Sequence, residues 1–273
     1  MSSEREVELT NLDRVLFPAA GYTKRDLIDY YRRVGPVLLP HLAGRPLTLG
    51  RFPAGIDGRG FATTECKGRP DWMRTQPVRL RSGAVRNHCV VEDLPALLWV
   101  ANLGTIELHG FPTGLVVDLD PGPEADVLDC GRVARRVREL LAAAGVEAFA
   151  KTTGSRGLHV HAPLELERAA ELGRALAGRL AREDPDGVTA SRDPAARGHR
   201  VLADWRQSNP RMLTILPYSL RASDQPAVAT PVTWGEIEEA LAAQRPDGLR
   251  FSPDQVLERS ARLGDPMRAV ATR

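Results

Sequence analysis

Cysteine is scarce. The 273 residues contain three, Cys66, Cys89 and Cys130, widely spaced and with no CxxC pair. That argues against a disulfide scaffold or a zinc knuckle and makes the cytoplasm the expected compartment. Lysine is equally rare. Lys24, Lys67 and Lys151 are the only ones, and the other 34 cationic side chains are arginine, the better fork for phosphate oxygens. Aromatic residues make up 5% of the chain. No stretch approaches the ~20 apolar residues of a membrane span, and the polar, acidic start MSSEREVELT predicts no secretory signal. Charge is nearly balanced, 37 basic against 35 acidic residues, so a polybasic tail does not account for what the chain binds. Without repeats, low-complexity tracts or a linker, a single domain over 1–273 is the simplest organisation.

The pattern of elements is mixed. Thr23 predicts the cap of a helix from Lys24 to about Val34, with Gly35-Pro36 ending it. Arg51 to Gly60 reads as loop, and Leu94 to Leu103 as a short helix. Leu115-Val116-Val117 predicts a strand that runs into Asp118-Leu119-Asp120 and stops at Pro121-Gly122-Pro123. A helix from about Val127 to Ala144 follows, ended by Gly145. Val146 to Thr152 and Leu158 to Ala162 read as strands joined by Thr153–Gly157, and 168–183 as a helix. Val201 to Trp205 and Met212 to Leu216 read as another strand pair, and short helices near 233–243 and 253–262 close the chain. Hairpin strands with interspersed helices favour α+β over a doubly wound sheet.

Chemistry-bearing residues cluster centrally. In a strand Asp118 and Asp120 share one face, and adjacent carboxylates invite a hard divalent cation; solvated strand-end aspartates are the alternative. Asp204 in VLADW is either a third carboxylate of a two-ion Mg²⁺ or Mn²⁺ site or an ordinary salt-bridge partner. In KTTGSRGLHVH, two glycines flank Ser155-Arg156, so backbone amides together with Thr153, Ser155, Arg156 and His159 could cradle a triphosphate; a plain hairpin loop is the alternative. His109 either borders the same cleft or sits in the core. The stretch 51–86 carries eight basic residues against three acids, with Phe52, Phe61 and Trp72 interleaved, a weak sign of single-strand binding.

Taken together, NLDRVLFPAAGYTKRDLIDYY, LPHLAGRPLTLGRFPAGIDGRGF, LLWVANLGTIELH, LVVDLDPG, KTTGSRGLHVHAPL, RVLADWRQSN and LPYSLRASDQPAVATPVTW resemble the polymerase domain of bacterial DNA ligase D, of the archaeo-eukaryotic primase superfamily. The resemblance runs along nearly the whole chain. It implies a primase-polymerase α+β fold of mixed and antiparallel sheets flanked by helices. A DNA- and 5′-phosphate-binding part would cover about 1–110, the metal and nucleotide core about 111–225, and terminal helices about 230–265. It also implies template-directed addition of NTPs or dNTPs, with ribonucleotides preferred and two Mn²⁺ or Mg²⁺ ions, to a primer 3′-hydroxyl at gapped or broken DNA bearing a 5′-phosphate. Ku and a separate ligase would be partners, in the bacterial nucleoid.

Residue by residue, the resemblance makes Asp118, Asp120 and Asp204 the metal ligands. Thr153, Ser155, Arg156, His159, His109, Arg197 and Arg221 would hold nucleotide, and Arg14, Lys24 and Phe61 would hold DNA. Relatives usually carry serine at Thr153, lysine at Arg156 and Arg14, and a second phenylalanine at Ala62. The chain contains no ligase or phosphoesterase portion and is expected to resemble stand-alone members. A DNA-end-binding module without polymerase activity and a primer-synthesising primase are the alternatives; a metal-dependent nuclease would leave the triphosphate loop unexplained.

Overall fold

Two six-stranded sheets face the centre of the chain in a computed structural model that describes residues 5–80, 82–193 and 197–271. The first sheet runs, edge to edge, Thr214–Ile215, Thr105–Gly110, Pro46–Arg51, Val85–Val90 and Thr75–Arg79, with Phe61–Thr63 added on Pro46–Arg51. The second runs Val188–Thr189, Val201–Asp204, Leu115–Pro121, Leu158–Ala162, Phe149–Thr152 and Pro231–Val232. Every pairing is antiparallel except that of Val188–Thr189 with Val201–Asp204. The α+β expectation holds.

Among the described residues six α-helices cover the sheets: α1 (Lys24–Leu42), α2 (Leu94–Asn102), α3 (Val127–Ala143), α4 (Leu166–Glu183), α5 (Trp234–Ala243) and α6 (Pro253–Leu263). Helix α1 does not stop at Gly35-Pro36 as its sequence predicts. Thr23 and Asp26 close a capping box at its start, and the helix continues through Pro36 and Pro40. Its apolar stripe explains this. Leu27, Tyr31, Val34, Leu38 and Leu42 are all fully buried, and burying two further leucines at roughly 1.5–3 kcal/mol each works against Pro36 and Pro40, each of which costs ~3 kcal/mol in a helix interior. Gly35 faces α2, where a Cβ would make only ordinary contact with Leu94 at 3.5 Å.

The apolar core is divided between the sheets. Leu27, Tyr31 and Leu38 of α1 join Leu97 and Val100 of α2 over Leu49 and Leu108 of the first sheet. Under the second sheet, Val133 and Val137 of α3 and Leu176 of α4 pack on Val117, Leu119, Leu158, Val160 and Ala203. Period-two alternation then decides the other face. With Val117 and Leu119 committed to the helices, Asp118 and Asp120 point away from them, and the same holds for His159 and Asp204.

Two expectations are corrected here. Val201–Asp204 and Thr214–Ile215 are not a pair but belong to different sheets. Asp204 caps the 3-10 turn Trp205–Ser208, and Ser208 Oγ bonds the Val116 backbone N and O, each at 3.0 Å; the turn sends the chain on to the first sheet. Cys66 and Cys89 form a disulfide, and only Cys130 is free. Their 23-residue separation conceals that the segment after Phe61–Thr63 folds back on Val85–Val90, where Cys66 N donates to Asn87 O at 2.9 Å. Among the described residues no helix is long and apolar enough to cross a membrane.

Candidate active site

Strand register builds the site. Asp204 stands opposite Asp118, Asp118 opposite His159, and His159 opposite Lys151, so four polar side chains cross four adjacent strands in one row. Between this polar face and the Thr105–Gly110 and Thr214–Ile215 strands lies a cleft of about 380 Å³. Asp118, Asp120, Thr153, Ser155, Arg156, His159, His109, Arg197 and Arg221 all line it. These are the proposed nucleotide residues and two of the three proposed metal ligands.

Two glycines seat the loop between Leu158–Ala162 and its neighbour. A Cβ on Gly157 would lie 2.3 Å from Leu119 O, and Gly154 takes φ +69° with a Cβ position only 2.6 Å from Arg221 Cγ. The loop is thereby pressed against both the aspartate strand and Arg221. Thr153 spends its hydroxyl on the loop itself, donating to Gly157 O (3.1 Å) and accepting from the amides of Ser155 (3.3 Å) and Gly157 (3.2 Å). Arg156 reaches back across the strand end, one terminal nitrogen donating to Gly122 O and Ala125 O, both at 2.9 Å.

The carboxylates are under-compensated. Burial pushes Asp118 up to about 7; Asp204 adds to this, and Lys151, Arg221 and Arg197 pull it back. Asp120 rises to about 6 through burial and the charge of Asp118. His159 Nε2 lies 3.2 Å from Asp118 Oδ1, yet that oxygen is buried without a hydrogen-bond partner. Burial, then Lys151 and Arg221, hold His159 well below its ordinary value, so at neutral pH it is an uncharged neighbour rather than a counter-ion. Lys151 itself is fully buried and is lowered to about 7, chiefly by burial and then by Arg221.

Asp204 is arranged differently from Asp118. Although directly opposite it in register, its carboxylate pairs with Arg206 (3.2 Å) and Arg192 (3.6 Å) and accepts from Arg206 N (3.0 Å). Among the described residues no three His, Cys, Asp or Glu side chains are gathered to hold a metal ion. Asp118 and Asp120 nevertheless fit a divalent cation: they share one strand face and line the same cleft, among the described residues neither has an arginine or lysine within ion-pair distance, and one buried oxygen is unpartnered.

The DNA-directed residues lie outside the cleft. Arg14 and Lys24 flank the small hairpin of Val15–Phe17 and Tyr22–Thr23 and are joined by a 2.8 Å bond from Lys24 N to Arg14 O. Lys24 is nearly buried, with Nζ donating to Thr10 O at 2.6 Å. Burial, helped by the charge of Arg14, lowers its pKa. Two cations held this close suit an anion. Phe61 is exposed, and the Arg51 guanidinium lies 5.3 Å from its ring centre. In the basic stretch, Arg74 pairs with Glu92, and Lys67 and Arg86 with Glu65; Arg81 lies outside the described residues.

Three polar residues near the cleft escape the sequence reading: Gln207, Lys151 and Glu107. Gln207 lines the cleft with a buried, unpartnered Oε1, and no pattern flags it. Lys151 heads the KTTGSRG motif, and hairpin register across Thr153–Gly157 places it beside His159. Glu107 shares a strand face with His109 two residues on.

Comparison with known proteins places the chain in a family. Residues 23–267 match the family model described as LigD, primase-polymerase domain. The chain is 37% identical to the multifunctional non-homologous end joining DNA repair protein LigD of Mycobacterium tuberculosis, over 97% of this chain and 37% of the relative. It is 35% identical to the LigD of Mycolicibacterium smegmatis, over 97% of this chain and 36% of that protein. The chain thus spans little more than a third of these relatives. Among solved structures, the polymerase domain of M. tuberculosis ligase D in complex with DNA superposes with a TM-score of 0.92 at 36% identity, covering 98% of this chain and 99% of that one.

Proposed function

The chain belongs to the LigD primase-polymerase domain family, and from that membership and the cleft we propose that it is a template-directed nucleotidyltransferase acting at gapped or broken DNA in end-joining repair. The observation that carries this reading is the pairing, in one cleft, of two carboxylates on one strand face, without an arginine or lysine ion-pair partner among the described residues, and a ring of basic side chains, Arg156, Arg197, Arg221 and His109. A binding module has no use for carboxylates that repel its DNA; a polymerase needs both.

In the reaction, the primer O3′ forms a bond to the α-phosphorus of the incoming nucleotide, the bond to pyrophosphate breaks, and the hydroxyl proton passes to solvent. Asp118 and Asp120 would hold Mn²⁺ or Mg²⁺, with Asp204 joining them if Arg192 and Arg206 release it. Divalent ions bound there would supply Lewis-acid activation of the hydroxyl and neutralise charge on the leaving group. The remaining work is positioning and electrostatics. Arg221, together with Arg156, Arg197, His109 and Ser155, binds triphosphate oxygens. The glycine-seated loop holds these donors against the aspartate strand. Neutral His159 packs beside Asp118 without competing as a permanent cation. Arg14 and Lys24 receive the 5′-phosphate, and Phe61 contacts the template. Ku and a separate ligase would be partners of such an activity.

Primer extension on a short gapped duplex with a 5′-phosphate, supplied with Mn²⁺ and either rNTPs or dNTPs, tests the reading. Templated addition is expected, and the better-used sugar fixes the preference. Binding that needs the 5′-phosphate without any addition would replace the polymerase by an end-binding module, and synthesis on unprimed single strands would make it a primase.

A further inference from the structure

Resting on that reading of the cleft, we propose that Glu107 is a positioning residue that ties His109 and Arg221 into one triphosphate-recognition unit. Its side chain is mostly buried, 15% exposed, between the two. Oε2 is 3.0 Å from His109 Nε2, while Oε1 is 3.4 Å from Arg221 Nε and accepts from Ala222 N at 3.1 Å. One carboxylate therefore grips a histidine from the Thr105–Gly110 strand and an arginine more than a hundred residues away in sequence. Burial alone would raise its pKa. The hydrogen bond from His109, the charge of Arg221 and the Ala222 amide outweigh that and keep it ionised.

The geometry dictates what each partner has left to offer. Arg221 lines the cleft and meets Glu107 most closely through Nε, so an arginine held from that edge has its two terminal nitrogens, the pair that matches two phosphate oxygens, available to a ligand. With Nε2 donating to Glu107, the other ring nitrogen of His109, Nδ1, bonds a phosphate oxygen only when the ring carries both protons. Room for Glu107 is provided by its cross-strand neighbour. Gly50 is registered opposite it, and a Cβ there would fall 2.9 Å from Glu107 Cβ. Tyr31 braces the same assembly from α1, its hydroxyl donating to Ile106 O (2.6 Å) and accepting from Leu220 N (3.3 Å).

The test is a double-mutant cycle read as nucleotide affinity by calorimetry and as KM and kcat in primer extension. Glu107→Ala should raise the KM for nucleotide about tenfold or more with a smaller change in kcat, and it should cost clearly less in an Arg221→Ala background, where only its contact with His109 is left to lose. Glu107→Gln, which keeps an acceptor for Arg221 and Ala222, should recover part of the affinity. Gly50→Ala, which keeps the carboxylate but displaces it, should raise KM in the same direction and serves if Glu107→Ala fails to fold. Losses that simply add in the double variant, or a KM unchanged in Glu107→Ala and Gly50→Ala, would overturn the proposal while leaving the polymerase reading intact. A wild-type protein that neither binds nor adds nucleotide would overturn both.

Discussion

Asp118 and Asp265 are both largely buried, their side chains 14% and 5% exposed, yet the chain treats them in opposite ways. Asp265 follows α6 and receives His41 Nε2 and the Tyr218 hydroxyl, each at 2.8 Å, together with the Met267 amide at 3.0 Å. Burial would raise its pKa, but these three donors more than cancel that and hold it below the ordinary carboxylate range. Asp118 has burial and a neighbouring aspartate, no comparable donors, and a pKa near 7. One carboxylate is a finished structural joint between α1 and the chain's last segment. The other is left open, and an open buried charge is where a ligand is required.

The largest expected effect separates the two by activity. Asp118→Asn or Asp120→Asn should lower nucleotide addition by about a thousandfold or more while the melting temperature is retained or raised, because an uncompensated charge is removed. Full extension by either variant would erase the distinction drawn between the two aspartates. Asp265→Asn should do the reverse. It weakens a buried charge-assisted network and should cost roughly 1–3 kcal/mol of stability, measured by denaturant unfolding, with kcat changed no more than a few-fold. A stable Asp265→Asn protein without activity would mean the joint belongs to the site after all.

Legibility in the sequence follows the range of the interaction. The two-residue spacing of Asp118 and Asp120, the glycine-flanked loop and the α+β alternation are local, and the structure brings Thr153, Ser155, Arg156 and His159 to the same cleft as the aspartates. What stayed hidden is long-range. The persistence of α1 past Pro36 depends on where Leu38 and Leu42 are buried. The Cys66–Cys89 bond depends on a fold-back that no spacing announces. Asp204 is legible as a strand aspartate with an ordinary salt bridge as one of its two readings, and the structure shows that pairing; that the partners are Arg192 and Arg206 is not legible. Glu107 is not legible because its partner Arg221 meets it only in the fold.

The smallest effect sharpens the comparison most, since it reads the open charge directly. In the metal-free protein Asp118 and Asp120 have raised pKa values, about 7 and about 6. They therefore favour the fold fully only below their unfolded values, and that contribution is lost as pH rises through 6–7. Lys151, lowered to about 7, works the opposite way and blurs the metal-free curve. The difference with and without Mn²⁺ removes that background, because the metal needs the ionised carboxylates and competes with their protons. The rise in melting temperature caused by Mn²⁺ should be near zero at pH 5 and grow to a few degrees, about 1 kcal/mol, by pH 8. Asp118→Asn should flatten it, whereas Asp265→Asn should leave its pH dependence in place on a lower baseline. A Mn²⁺ effect that is independent of pH, or that survives Asp118→Asn, would move the metal away from this pair of carboxylates.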